Sequence, residues 1–277
     1  MVASNGFEGE SADTYFQLVG NASIKDKGDE RPESYWYDAS LYYDTLVKKG
    51  IGTKALERIL AKLGQQKIAS VKLPMIVDFM NTAQLVSPLI SALNGNAIQQ
   101  RNSFLLDKLN QKVTGDNCTL IDDPHIQKAP GARYYDREGV ATKRMPVFEN
   151  GVLKTYYIDT YYANKLETER TLDSPSILTM PLGNKNLDGL IASLDKGILV
   201  TGFNGGNSNS STGDFSYGIE GFLIENGKLA KPINEMNITG NMLTLWSNLI
   251  EVGNDPRLSS GWRIPSLVFD KVDFSGV

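Results

Sequence analysis

A chain of 277 residues with 41% apolar side chains has material for one large core. Its net charge of −4, with basic residues scattered among acidic ones, excludes phosphate binding as the main task and leaves no nucleic-acid footprint. One cysteine, Cys118, excludes an internal disulfide, and one histidine, His125, is too few for the usual catalytic zinc site.

Thr14–Val19 and Tyr35–Tyr43 are aromatic and β-branched, and predict two strands around a charged turn at Lys25–Pro32. Ile51, Leu56, Ile59, Leu60 and Leu63 then fall on one helical face, with Gly64 as its C-terminal cap. Val71–Phe79 is expected to be a buried strand. A second helix is predicted from Thr82 to Leu93, with Leu85, Leu89 and Leu93 in one stripe, Pro88 in its first turns and Gly95 after it. Ser103–Leu109 predicts a short third helical stretch. Cys118–Ile121 predicts a strand running into a polar turn, Asp122-Asp123-Pro124-His125.

Asn-Gly pairs at Asn150-Gly151 and Asn226-Gly227 each sit between extended runs and predict type I′ hairpins, since both central residues must take positive φ. The first joins Thr142–Phe148 to Leu153–Ile158, the second Phe215–Ile224 to Leu229–Ile233. Leu187, Leu190, Ile191 and Leu194 form a helical face before a strand at Ile198–Phe203. Asn204–Asp214, rich in Gly, Asn and Ser, is expected to be a flexible loop, and lacks the Gly-Lys-Ser/Thr of a phosphate loop. A helix over Asn241–Ile250 and a strand over Ser266–Val272 complete the pattern. The expected fold class is α+β: a mainly antiparallel, strongly twisted sheet with several flanking helices, in one domain over 1–277.

No basic segment followed by an apolar one opens the chain, and no apolar run reaches the roughly 20 residues of a membrane helix. A cytoplasmic protein without membrane or nucleic-acid partners is expected. Asp122, Asp123 and His125 could bind a metal, although a polar turn explains them as well. A Ser-His-Asp triad would need His125 and finds no Gly-x-Ser-x-Gly elbow. Paired carboxylates such as Asp214 and Glu220 could do acid–base work if their environments separated their pKa values. The paired tyrosines imply no single sugar platform, because neighbours on a strand face opposite ways.

Several segments, in order, resemble the TldD/PmbA (TldE) family. The fullest is Thr212-Gly213-Asp214-Phe215-Ser216-Tyr217-Gly218-Ile219-Glu220-Gly221-Phe222, continuing to Ile224-Glu225-Asn226-Gly227-Lys228. Ile238-Thr239-Gly240-Asn241, Gly253-Asn254-Asp255, Asp136-Arg137-Glu138-Gly139-Val140 and Asp159–Leu166 also fit. The resemblance implies a C-terminal domain without the family's N-terminal one, from a two-subunit cytoplasmic metallopeptidase acting on unfolded or short peptides. Its TldD subunit carries a zinc-binding HExxxH helix. Aligned on Gly95, the corresponding positions here are Val86, Ser87 and Ser91, so the resemblance implies a PmbA-like member with no catalytic residue, metal or cofactor of its own. The partners it implies are a zinc-bearing homologue, a second copy, or both. The candidate peptide groove is Asn204, Gly205 and Gly206 with Gly213, Asp214 and Phe215, where an extended substrate could add as a strand. A regulatory homodimer of the "modulator of DNA gyrase" kind and a carboxylate hydrolase are the alternatives.

Overall fold

The computed structural model describes residues 1–28 and 31–276. The charged turn expected at Lys25–Pro32 includes Asp29 and Glu30, which lie outside the described residues. The chain opens with strands β1 (Phe16–Ser23) and β2 (Glu33–Ser40), an antiparallel pair with Gly20 opposite Trp36. Helix α1 (Ile51–Ala61) crosses them at Gly20, where a Cβ would come within 3.2 Å of the Gly52 backbone and the Ile51 side chain. Strand β3 (Val71–Val77) leads into α2 (Ala83–Ala92), in which Pro88 is five residues from the start. Its missing N–H leaves the Gln84 carbonyl without the usual helical partner.

Short α3 (Gly95–Gln99) follows. Ser103–Leu109 forms turns rather than a helix: Asp107 takes a positive φ of 58°, and Ser103 Oγ donates to the Ala92 carbonyl at 2.6 Å. Strands β4 (Leu120–Asp122), β5 (Met145–Glu149) and β6 (Val152–Leu153) precede α4 (Thr160–Leu166), β7 (Leu178–Thr179) and α5 (Leu187–Ala192). The long strands β8 (Lys196–Ser208), β9 (Asp214–Glu225) and β10 (Lys228–Asn241) form a meander. After α6 (Met242–Ser247) come β11 (Leu249–Val252), β12 (Trp262–Arg263) and β13 (Leu267–Ser275). The segment expected as helix to Ile250 therefore turns into strand at Leu249, which pairs with Phe269. Both predicted Asn-Gly turns have the required positive φ, 47° and 80° at Asn150-Gly151, 53° and 71° at Asn226-Gly227.

The class is α+β, and most strand pairings are antiparallel as expected, but the sheets are mixed because two pairings are parallel. β3 pairs with β8 in parallel through Met75–Val77 and Ile198–Val200, and β7 pairs with β12 in parallel. The six-strand order is β10-β9-β8-β3-β13-β11, and β10 also pairs with β13, so five of its strands close a ring. The second sheet has the order β12-β7-β4-β5-β6.

Strand alternation sorts the core. Met75, Val77, Ile198, Val200, Tyr217, Ile219, Leu267 and Phe269 face one cluster that takes in Leu85, Val86 and Leu89 of α2 and the second sheet. Ile76, Leu199 and Val268, one residue out of phase, face a smaller cluster covered by Leu190 and Ile191 of α5. Helix α2 is thereby fixed by its buried stripe, leaving its other side to line a cleft.

Candidate functional site

The segment expected as a flexible loop is mostly strand. β8 runs through Asn204, Gly205 and Gly206 to Ser208, and β9 begins at Asp214. Only 209–213 turn, and these residues are fastened. Asn209 Oδ1 accepts from the Ser211 and Thr212 N–H groups, Phe104 N–H donates to the Ser210 carbonyl at 2.9 Å, and the Ser211 and Asn102 side chains meet. Asp214, exposed, accepts from Thr212 Oγ1 at 2.7 Å and Asn241 Nδ2 at 3.0 Å, and these bonds hold its carboxyl below the usual range.

β8 is paired with β9 from Lys196 to Ser208, with bulges at Thr201 and at Asn204-Gly205, but with β3 only as far as Val200, whose carbonyl accepts from Asp78 N–H at 3.2 Å. The Thr201 carbonyl takes the Asn81 amide at 2.9 Å. From Gly202 to Ser208, no other strand among the described residues pairs with the side of β8 away from β9. This free edge runs between two clefts.

The first cleft, about 360 Å3, lies between α2 and the far end of β8 and is lined by Gln84, Ser87, Ser91, Phe104, Gly206 and Tyr217. Ser87 and Ser91, two of the positions matched to the zinc motif, thus face the same space as Gly206. The third, Val86, points into the core and is fully buried. Of the candidate groove residues, Gly206 lines this cleft, Phe215 is buried beneath it against Tyr217, and Gly213 packs on Phe104. Gly205 has a positive φ of 81° and open space around it.

The second cleft, about 700 Å3, lies at the other end of the free edge, where Thr201 and Asn204 face Tyr35 of β2 and Arg58 and Lys62 beside them. Lys62, nearly buried, donates to Glu220 Oε1 at 2.5 Å and to the Glu33 carbonyl at 3.0 Å. Asp78 is buried, accepts from Asn81, and lies 3.6 Å from the Arg58 guanidinium; burial pushes its carboxyl up against the pull of Arg58. Asn204 is the groove residue that reaches this cleft. The other lining residues come from far along the chain, and of these only Glu220, a candidate carboxylate within the Thr212–Phe222 segment, has a local sequence signal.

Asp214 and Glu220 are six positions apart on β9, on the order of 20 Å in an extended strand, so they cannot act as one pair. Nor do Asp122, Asp123 and His125 converge. Asp123 Oδ1 caps the His125 N–H and its other oxygen faces Arg144, while the His125 ring stacks on Tyr134 and meets Thr142 Oγ1. Asp122 points inward, fully buried, accepting from the Ser176 and Ile177 N–H groups and from Tyr157 Oη. Burial raises its carboxyl to about 6 despite those donors.

A group with a raised folded pKa stabilises below its unfolded value and loses that contribution as pH rises through the folded one. Stability should therefore fall between about pH 4 and pH 6 on this account. Asp122→Asn keeps an oxygen for Ser176 and Ile177 and removes the desolvated charge. It is expected to gain about 2 kcal/mol at pH 8 and nothing at pH 4, read by urea unfolding at both pH values.

Residues 70–276 match a family model described as the PmbA/TldA metallopeptidase C-terminal domain. A Buchnera aphidicola protein named metalloprotease PmbA homolog is 31% identical over 243 residues, which are 87% of this chain and 54% of that relative. The chain thus spans about half the length of the curated relatives it matches. Among solved structures, a Bacteroides thetaiotaomicron protein described as a proposed modulator of DNA gyrase superposes with a TM-score of 0.98. It is 63% identical, over 99% of this chain and 63% of that one. TldE from Thermococcus kodakarensis superposes with a TM-score of 0.82 at 25% identity, over 95% of this chain and 62% of its own. The chain belongs to the PmbA/TldD metallopeptidase family.

Proposed function

We propose that this chain is the PmbA/TldE-like, non-catalytic half of a two-subunit peptidase, in which a zinc-bearing TldD-type homologue cuts and this subunit holds extended peptide. The observation that carries the reading is the run of free β8 edge past α2. Backbone donors and acceptors on such an edge bind an unfolded chain without sequence demands.

The metal implied by the family's description does not fit the residues present. At the positions matched to HExxxH the chain has Val86, Ser87 and Ser91: no imidazole to hold zinc and no carboxylate to take a proton from bound water. Among the described residues no three His, Cys, Asp or Glu side chains gather elsewhere. This subunit's own chemistry is then binding: its backbone edge orients the peptide, and the Phe104 and Tyr217 rings exclude water from one side of it. Among the described residues no helix is long and apolar enough to cross a membrane. The reading places the complex in the cytoplasm.

Native mass spectrometry of the chain, alone and mixed with a zinc-bearing TldD-type homologue, tests the pairing. The expected species is a mixed dimer carrying one zinc ion, with this chain metal-free on its own. A homodimer that ignores the homologue would favour a regulatory role, as the description of the Bacteroides relative suggests. A chain that retains its own zinc would refute the non-catalytic assignment.

A further inference from the structure

The second cleft is unlike the first: it is charged, partly buried, and its hydrogen-bonding capacity is unevenly used. Lys62 is committed to Glu220 and the Glu33 carbonyl, and Glu220 is committed to Lys62. Asp78 has Asn81 on one oxygen and Arg58 near the other. The capacity left over is on the donors Arg58 and Thr201, and on the exposed Glu33 carboxylate at the cleft's margin. Arg58 Nε and Thr201 Oγ1 meet no partner in the protein although both atoms are themselves buried, and the Arg58 contact with Asp78 is longer than a hydrogen bond. The Arg58 guanidinium lies 5.6 Å over the Trp36 ring, and its side chain keeps 26% of its surface exposed toward the cleft it lines.

An under-satisfied guanidinium and an under-satisfied hydroxyl lining one cleft, with Glu220 and Asp78 already engaged and Glu33 exposed at its margin, are complementary to an incoming carboxylate. Its position gives that carboxylate a source. Thr201 stands where β8 loses β3 as a neighbour, so a peptide added along the free edge from Ser208 towards Thr201 would end there. We infer that the Arg58–Thr201 cleft receives the C-terminal carboxylate of the peptide held on the β8 edge, which makes that peptide antiparallel to β8 and this subunit a reader of free C-termini. The inference rests on the strand-edge reading above and adds polarity and end-specificity to it. A free small carboxylate shares the recognition chemistry and is the competing source.

The test is fluorescence anisotropy with a fluorescein-labelled hexapeptide of alanine and serine. The free-acid and C-terminally amidated forms are each titrated with the chain, alone and in complex with the zinc-bearing homologue, at fixed salt. The acid form is expected to bind about tenfold tighter than the amide, the factor for one charge-assisted contact. Arg58→Lys, which keeps a cation beside Asp78 but loses the planar fork, should shrink that preference to below about threefold while leaving amide binding unchanged. Equal binding of acid and amide would overturn the C-terminal assignment and leave the strand-edge reading standing. Sodium acetate competing as strongly as the peptide acid would overturn the peptide source in favour of small carboxylates. Binding of neither form would remove both readings.

Discussion

Gly221→Ala is expected to lower the stability of the fold by about 4 kcal/mol or more, on the order of a 10 °C fall in melting temperature. Gly221 lies in β9 opposite Val200, and a Cβ there would stand 1.8 Å from the Leu199 carbonyl oxygen of the neighbouring strand. Backbone on both sides must move to relieve that contact. The strands that would separate are also those that close the ring and hold the free edge of β8 in place. Gly52→Ala is the control for adding the same methyl group. Gly52 is inside α1, with no atom outside its own helix within 4 Å of the added carbon, and should gain roughly 0.5–1 kcal/mol through reduced freedom of the unfolded chain. Thermal unfolding of the two variants side by side checks the pair. A Gly221→Ala protein within about 1 kcal/mol of the parent would mean that the ladder is far softer than its geometry implies.

The parts of this fold that the sequence displays are those set by neighbours along the chain. Asn150-Gly151 and Asn226-Gly227 form their turns because positive φ at two consecutive positions is a local demand, and the apolar stripe of α2 buries the expected Leu85, Leu89 and Leu93. The errors fall where partners distant in sequence decide. Asn204–Ser208 has the composition of a loop but becomes strand because Gly206, Asn207 and Ser208 pair with Tyr217, Ser216 and Phe215 of β9. Leu249 and Ile250 continue a helical stripe on paper, yet Leu249 pairs with Phe269, and that pairing ends the helix at Ser247. The parallel contact of β3 with β8 joins residues more than a hundred positions apart and leaves no trace in either strand's pattern.

The candidate site divides along the same line. The family resemblance points to the positions Val86, Ser87 and Ser91 and a Gly-rich run to the groove at Gly206, and the structure brings Ser87, Ser91 and Gly206 to one cleft. The charged cleft was not readable. Tyr35, Arg58, Thr201 and Glu220 share no motif and meet only because α1 packs beside the barrel. Asp122 illustrates the reverse error. In sequence it belongs to a polar Asp-Asp-Pro-His turn, whereas its carboxylate serves the backbone at Ser176 and Ile177, 54 and 55 residues further on.

On the proposed strand-edge reading, Ser208→Pro is expected to cut peptide capture, and degradation by the proposed complex, by about tenfold or more without unfolding the chain. Asn209 N–H points to the Asp214 carbonyl on β9, so strand alternation turns the Ser208 N–H the other way, onto the free edge. Proline there removes a donor that β9 does not use and places its ring where an added strand would lie, the device by which natural edge strands reject partners. A lost backbone hydrogen bond and the steric exclusion beside it together exceed the roughly 1.4 kcal/mol of a tenfold change. Excising 205–211 would be a blunter probe, because it would remove the end of β8 and the Ser210 carbonyl that anchors Phe104. Anisotropy with the amidated hexapeptide reports the edge alone, since that peptide has no carboxylate for Arg58. A Ser208→Pro chain with parental melting temperature and parental affinity for the amide would mean that peptide does not bind along β8, and the two clefts would then have to be explained separately.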